Sequence, residues 1–485
     1  MSVSVFDLII IVFYILATTL FGAWFVRKSK TLEGFTLADH LIPGWAIGLS
    51  LLATYLSSIS FLANPGKSYA SDWRPFAFSL TLPIAIILAV RFFIPLYRNT
   101  VKTTAYEYLE QRFGIWARLY MGAAYILMQI GRYAVVLYLI ALALAAFLNI
   151  NITVLILALG GLTIIYTLLG GFAAVIWTDV VQSVVLLVGG LLCLLLIIID
   201  IPGGWEQLLT TADNHDKFSL GPMDGDMMIQ GFWVIFIFGI IENIKNFSVD
   251  QNYIQRFLSA SSEREAIKSL WLGGLLYIPV SALFFLIGTA LFVFYLQVPD
   301  PGLPSKPDQI FPFFIVNKLP VGMVGLVIAA VMAAGMSTLD SSLNSSSTVW
   351  TIDFYKRIIK QTADDSEQLR IIRVATAVIG IIGTLASLLM LEAKTVLDIW
   401  WKISAIFGGG MLGLFLLGVM FKRVTSHHAL FAVILGVIFI AWAMASPMLL
   451  PLSSAWRFPL HTMVTGLAGT LVIVISGVLL SYIKK

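Results

Sequence analysis

Twelve consecutive residues, Ser337-Thr-Leu-Asp-Ser-Ser-Leu-Asn-Ser-Ser-Ser-Thr348, put one carboxylate among eight hydroxyl side chains inside a long apolar run. Carboxylates, hydroxyls and carbonyls are the oxygen ligands that a hard cation such as sodium takes. In a membrane helix the same hydroxyls also serve packing. Ser345 to Thr348 are read as packing; Ser337, Thr338 and Ser341, beside Asp340, are read as cation ligands. A second acid, Asp179, lies at a matching depth: at 1.5 Å per residue the two carboxylates are roughly 12 and 13 Å from the same expected membrane face. Arg132 stands near the middle of another apolar run, too deep to reach an interface. It requires an acidic partner or an anionic ligand. Arg91 and Lys402 are expected to snorkel instead.

The elements that must position these groups are membrane helices. The 485 residues are 59% hydrophobic and 12% charged, about half the charge of a soluble domain. Thirteen spans are expected, at about 4–26, 44–70, 76–97, 116–148, 151–170, 171–199, 229–257, 266–297, 321–349, 369–393, 395–421, 428–448 and 457–482. Gly170-Gly171 must form a tight turn between the fifth and sixth. With the N-terminus outside, nineteen basic residues fall in cytoplasmic segments, six in outer loops and five within spans, all thirty in the chain. That bias obeys the positive-inside rule, with the C-terminus cytoplasmic. The first run has no basic segment before it and is expected to be retained rather than cleaved. Residues 104–113 form a short amphipathic helix on the cytoplasmic surface. The single cysteine, Cys193, excludes a disulfide framework.

Two spans are interrupted by polar residues: Ala53 to Ser60 with Asn64-Pro-Gly66, and Glu242 to Asn252. Each opens a group of five spans. Interruptions at corresponding places in two halves point to inverted repeats with a binding site at the breaks. The expected organisation is an extra N-terminal helix and loop (1–43), a first repeat (44–199), an external loop (200–228), a second repeat (229–421) and two C-terminal helices (422–485). The expected function is secondary transport of a small polar, anionic solute across the cell membrane by alternating access. Sodium binds near Ala53 and Ser337 in the outward-open state, and one or two ions move per cycle. Proton coupling through Asp340 and Asp179 is the alternative, unless Lys245 neutralises the extra acid. An intramembrane enzyme is disfavoured because all five histidines lie in or near loops; a channel or sensor is a further alternative. The partners expected are the solute and the lipid bilayer, with neither nucleic acid nor an obligate protein partner.

At Ser50 to Ser57, Gly170 to Gln182, Gln255-Arg256 and Leu343 to Thr348 the chain resembles the sodium:solute symporter family, which has the LeuT fold. Ser71-Asp-Trp73, Thr104 to Glu110 and Ile130-Gly-Arg132 are most similar to its bacterial sialic acid transporter branch. The resemblance implies a sodium site from the carbonyls of Ala53, Leu56 and Ala334 and the hydroxyls of Ser337 and Thr338. It implies a second sodium or proton site at Asp179, Ser337, Asp340 and Ser341, where Asp340 replaces the branch's serine. It places a substrate carboxylate against Ser57, Ser60 and Arg132, with Tyr55, Pro75, Ser79, Asn243 and Lys245 completing the pocket. Tyr55, Pro75, Ser79 and Lys245 differ from the branch's residues. The substrate implied is a sialic acid or related sugar acid; another sugar, polyol or organic acid is the alternative.

Overall fold

A computed structural model describes residues 4–24, 31–392, 396–451 and 454–483. Six basic residues of the charge pattern, Arg27, Lys28, Lys30, Lys394, Lys484 and Lys485, lie outside them. The described chain is helical, with one isolated bridge joining Ile42 to Ala260. Among the described residues eleven helices are long and apolar enough to cross a membrane, and a bent pair makes twelve. Ile152–Ile165, a shorter apolar helix, takes the place of the expected fifth span. It is divided from the sixth at Gly171, whose φ of 66° and ψ of 179° no side-chain-bearing residue adopts readily.

The helices that matter for the site are α1 (Val5–Trp24), α2 (Leu32–Leu37), α3 (Gly44–Tyr55), α4 (Asn64–Ala70), α5 (Ile115–Leu148), α6 (Ile152–Asp200), α7 (Phe232–Val249), α8 (Gln251–Ser259), α9 (Glu263–Gln297), α10 (Pro307–Lys318), α11 (Met323–Val349), α12 (Asp365–Ser387) and α13 (Val396–Met420). α3 is bent by 55° against the arm Ile59–Ala70, in which a short π-helical segment, Ile59–Ala63, runs into α4. The chain leaves α3 at Leu56, which has an extended ψ of 102°. Pro65 falls in the first turn of α4, where its missing N–H costs nothing. The break therefore sits at Leu56-Ser57, ahead of the proline.

The second interruption is narrower than the polar run implied. Glu242 to Val249 continue α7 as helix, and the break is confined to Asp250 (φ −81°, ψ 113°), whose side chain accepts from the Asn252 N–H and caps α8. The polar residues of α7 face other helices, so helix geometry is kept while their side chains find partners across the bundle. α11 is buried along almost its whole length and packs against α5 and α6. The amphipathic helix is Tyr106–Phe113, with Tyr106, Leu109 and Phe113 buried.

Candidate functional site

The break in α3 leaves backbone carbonyls without helical partners. Among the described residues the Leu52 carbonyl accepts from Leu56 N–H, that of Thr54 from Arg132, and that of Tyr55 from the Ser60 hydroxyl. No described donor reaches the carbonyls of Ala53 and Leu56 between them. α11 packs against α3 and the segment after it. From α11 the Ser337 hydroxyl is fully buried, close to the Asp179 carboxylate but within hydrogen-bond distance of no group among the described residues, and Thr338 makes only a long 3.4 Å bond to the Ala334 carbonyl. Buried polar groups are almost always satisfied. An orphaned hydroxyl opposite free carbonyls fits an oxygen-ligated cation, so these five residues remain a consistent candidate sodium site.

The other proposed cation ligands are arranged differently. Arg256, fully buried on α8, pairs with Asp179 at 2.8 Å. The same Nη2 donates to Ser341 Oγ at 2.8 Å, Nε donates to Ser50 Oγ at 2.8 Å, and Nη1 to the Asn252 carbonyl at 2.8 Å. Ser50 in turn donates to Asp179 at 2.5 Å. A guanidinium thus stands between two of the four expected ligands. Asp340, next to Ser341 and so about 100° around the helix, accepts from Thr167 of α6 at 3.2 Å. Asp179 Oδ1 and Ser337 Oγ are within hydrogen-bond distance of no group among the described residues, though Ser337 lies close enough to act on the Asp179 carboxylate. The charge pattern had counted Arg256 as a water-facing cytoplasmic residue; it is an internal cation.

A cavity lies beside the break. Tyr55, Ser57, Ser60, Pro75, Ser79 and Arg132 line it, six of the eight expected substrate residues. Arg132 donates to the Thr54 carbonyl at 2.5 Å and lies over the Trp400 ring, 5.7 Å from its centroid. It joins no ion pair among the described residues; Asp250 acts on it electrostatically but is held by Asn252 and Gln129. A buried guanidinium with donors to spare, facing a cavity, is suited to a carboxylate. The remaining wall is aromatic and polar, including Tyr253, Tyr277, Trp401 and Asn246.

Asn243 and Lys245 do not line the cavity. Asn243 accepts from the Tyr55 hydroxyl at 3.0 Å and donates to Thr81 at 2.9 Å, fixing the Tyr55 ring from behind. Lys245 does not neutralise Asp340: its ammonium is 2.5 Å from Glu242 and 2.7 Å from Ser404. Glu242, absent from the expected set, lines the cavity instead. Its signal was the spacing of Glu242 and Lys245, three apart on one helix, which favours an ion pair. Arg91 and Lys402 are exposed.

Residues 35–436 match the model of the sodium:solute symporter family. The sodium/sialic acid symporter SiaT of Proteus mirabilis is 35% identical over 473 residues, 96% of this chain and 92% of that protein. The sodium/sialic acid symporter NanT of Aliivibrio fischeri is also 35% identical, covering 96% of this chain and 91% of its own. Among solved structures, a Na+-coupled sialic acid symporter in its substrate-bound outward-open state superposes with a TM-score of 0.91 at 32% identity, covering 100% of this chain and 99% of the other. The nucleobase-cation-symport transporter Mhp1 shares the fold, with a TM-score of 0.58 at 17% identity over 92% of this chain and 94% of its own.

Proposed function

The chain belongs to the sodium:solute symporter family, and from that premise we propose that it imports a sialic acid or closely related sugar acid together with sodium. It is a multi-pass membrane protein and a secondary active transporter rather than an enzyme, with sodium as the coupling ion. The observation that carries the substrate reading is Arg132: a buried cation at the cavity wall that joins no ion pair among the described residues. The cavity's hydroxyls, amides and aromatic rings suit a polyhydroxylated ring. The two relatives at 35% identity, both named for sialic acid, support the same choice.

Coupling follows from shared backbone. Ala53 and Leu56 would supply sodium ligands, while Thr54, between them, holds Arg132. Sodium there fixes the break and so fixes the guanidinium that receives the carboxylate. Loss of sodium to the cytoplasm releases both. In this reading the two repeats are 44–199 and 229–421, the N-terminus lies outside and the C-terminus is cytoplasmic. Purified protein in sealed vesicles should accumulate labelled N-acetylneuraminate when sodium is outside and not when potassium replaces it. Equal uptake in both would defeat the coupling; absence of uptake and of counterflow would defeat the substrate.

A further inference from the structure

We infer that Glu242 is a specificity-determining residue of the cavity, accepting hydrogen bonds from hydroxyl or amide N–H groups of the substrate other than its carboxylate. The inference rests on the functional reading above and adds a second recognition element to it.

Glu242 is buried and lines the cavity from α7, while Arg132 lines it from α5. Its Oε1 is engaged twice, by Lys245 Nζ at 2.5 Å and by the Ser404 hydroxyl of α13. Both bonds converge on that one oxygen. A carboxylate has about four acceptor positions, and no described group donates to Oε2. Oε2 therefore remains for a ligand.

Lys245 is built in rather than incidental. It is 1% exposed, and its ammonium also donates to Met128 Sδ at 3.5 Å. A Cβ on Gly408 would lie 2.6 Å from Lys245 Cδ, so any larger residue there would force the stem to shift. Lys245 is thus a positioning residue. It balances the Glu242 charge and fixes its orientation without reaching the ligand.

A carboxylate oxygen left open to the cavity discriminates in both directions. A substrate donor meets a charged acceptor, the stronger class of hydrogen bond. A ligand offering an ether oxygen or a second carboxylate at that point leaves Oε2 of Glu242 without a donor or repels it, a repulsive element of specificity. The cavity therefore selects acids that also carry donors. Simple dicarboxylates and fully O-alkylated acids are excluded.

The test is binding in sodium by calorimetry or thermal shift, using N-acetylneuraminate and a panel of its mono-deoxy and O-methyl analogues. Because Glu242→Gln alone strands a buried ammonium, the informative variant is Glu242→Gln with Lys245→Met, which removes both charges. Sodium-induced stabilisation of that variant reports that it is folded. Wild type should bind at least one donor-lacking analogue about tenfold or more weakly than the parent. The double variant should bind the parent weakly and should not distinguish that analogue from it. Undiminished discrimination by the folded variant would overturn the inference alone. Failure of wild type to bind N-acetylneuraminate would overturn the functional reading, and this inference with it.

Discussion

Arg132 Nη2 donates to the Thr54 carbonyl across 2.5 Å, joining α5 to the point where α3 unwinds. The two residues flanking Thr54's side of the break, Ala53 and Leu56, present the carbonyls that no described donor takes. One turn of backbone therefore serves both the candidate cation site and the candidate anion site. Cation and anion also attract one another across it. Coupling here needs no long pathway.

Arg132→Lys should weaken N-acetylneuraminate binding at least about tenfold, because an ammonium cannot hold Thr54 and a carboxylate in the same planar fork. The methyl ester, which lacks the charge, should bind mutant and wild type almost equally. Sodium-induced stabilisation of the empty protein should survive. Calorimetry on both ligands decides it: normal binding of the acid by the mutant would remove Arg132 from the site.

Ser337→Ala and Thr338→Ala should each raise the sodium concentration for half-maximal uptake several-fold, while substrate affinity at saturating sodium changes little. Ser337 is the sharper case, since its buried hydroxyl makes no full hydrogen bond among the described residues and has only the nearby Asp179 carboxylate to lose. If the hydroxyl served packing alone, Ser337→Ala would leave sodium activation untouched.

Asp308 gives a pH-dependent stability. It lies in α10, outside the candidate spans, where burial pushes its carboxyl up to about 6 despite the Val396 N–H and the nearby Lys67 and Lys306; Asp398 adds to the rise. A folded-state value above the unfolded one means that the native protein binds the proton more tightly. Its contribution is fully present below about pH 4 and is lost as pH rises through about 6. Wild type should therefore melt at higher temperature at pH 5.5 than at 7.5. Asp308→Asn should reduce that difference, mainly by stabilising the protein at pH 7.5. Identical pH profiles for mutant and wild type would show that the burial is relieved by solvent.

Much of this arrangement was legible along the chain. Polar residues in apolar runs have few tolerated uses, so Asp179, Arg132 and the hydroxyls from Ser337 stood out. Gly171 was legible because two glycines between apolar runs have an obvious conformational use. What was missed is relational. Arg256 pairs with an acid 77 residues away, and a count of charges near span ends treats any such arginine as water-facing. Lys245 read as a pocket residue because polarity shows that a side chain has a role, not which way it points. The extent of the second break was overstated for the same reason: Glu242 to Ser248 satisfy their side chains between helices without unwinding them.

The Arg256 bridge also bears on stoichiometry. With Asp179 and Ser341 held by a guanidinium, a second cation would have to share that corner or be held mainly through Asp340. Energetics favour a second cation. One charge crossing 100 mV is worth about 2.3 kcal/mol, and a tenfold sodium gradient about 1.4 kcal/mol. Each sodium then delivers about 3.7 kcal/mol, while a monoanion moving inward costs about 2.3 kcal/mol. One sodium leaves about 1.4 kcal/mol, roughly tenfold accumulation; two leave about 5.1 kcal/mol, a few thousandfold. Two cations per anion make the cycle electrogenic, and uptake into vesicles should rise when a potassium-diffusion potential makes the interior negative. Asp340→Ser then separates the two identities. If Asp340 helps to hold sodium, the mutant loses sodium affinity or cooperativity. If it carries a proton, the mutant instead loses the pH dependence of uptake. Uptake indifferent to voltage in the wild type would rule out two cations per anion, and a mutant matching wild type in both sodium and pH dependence would leave Asp340 a packing residue.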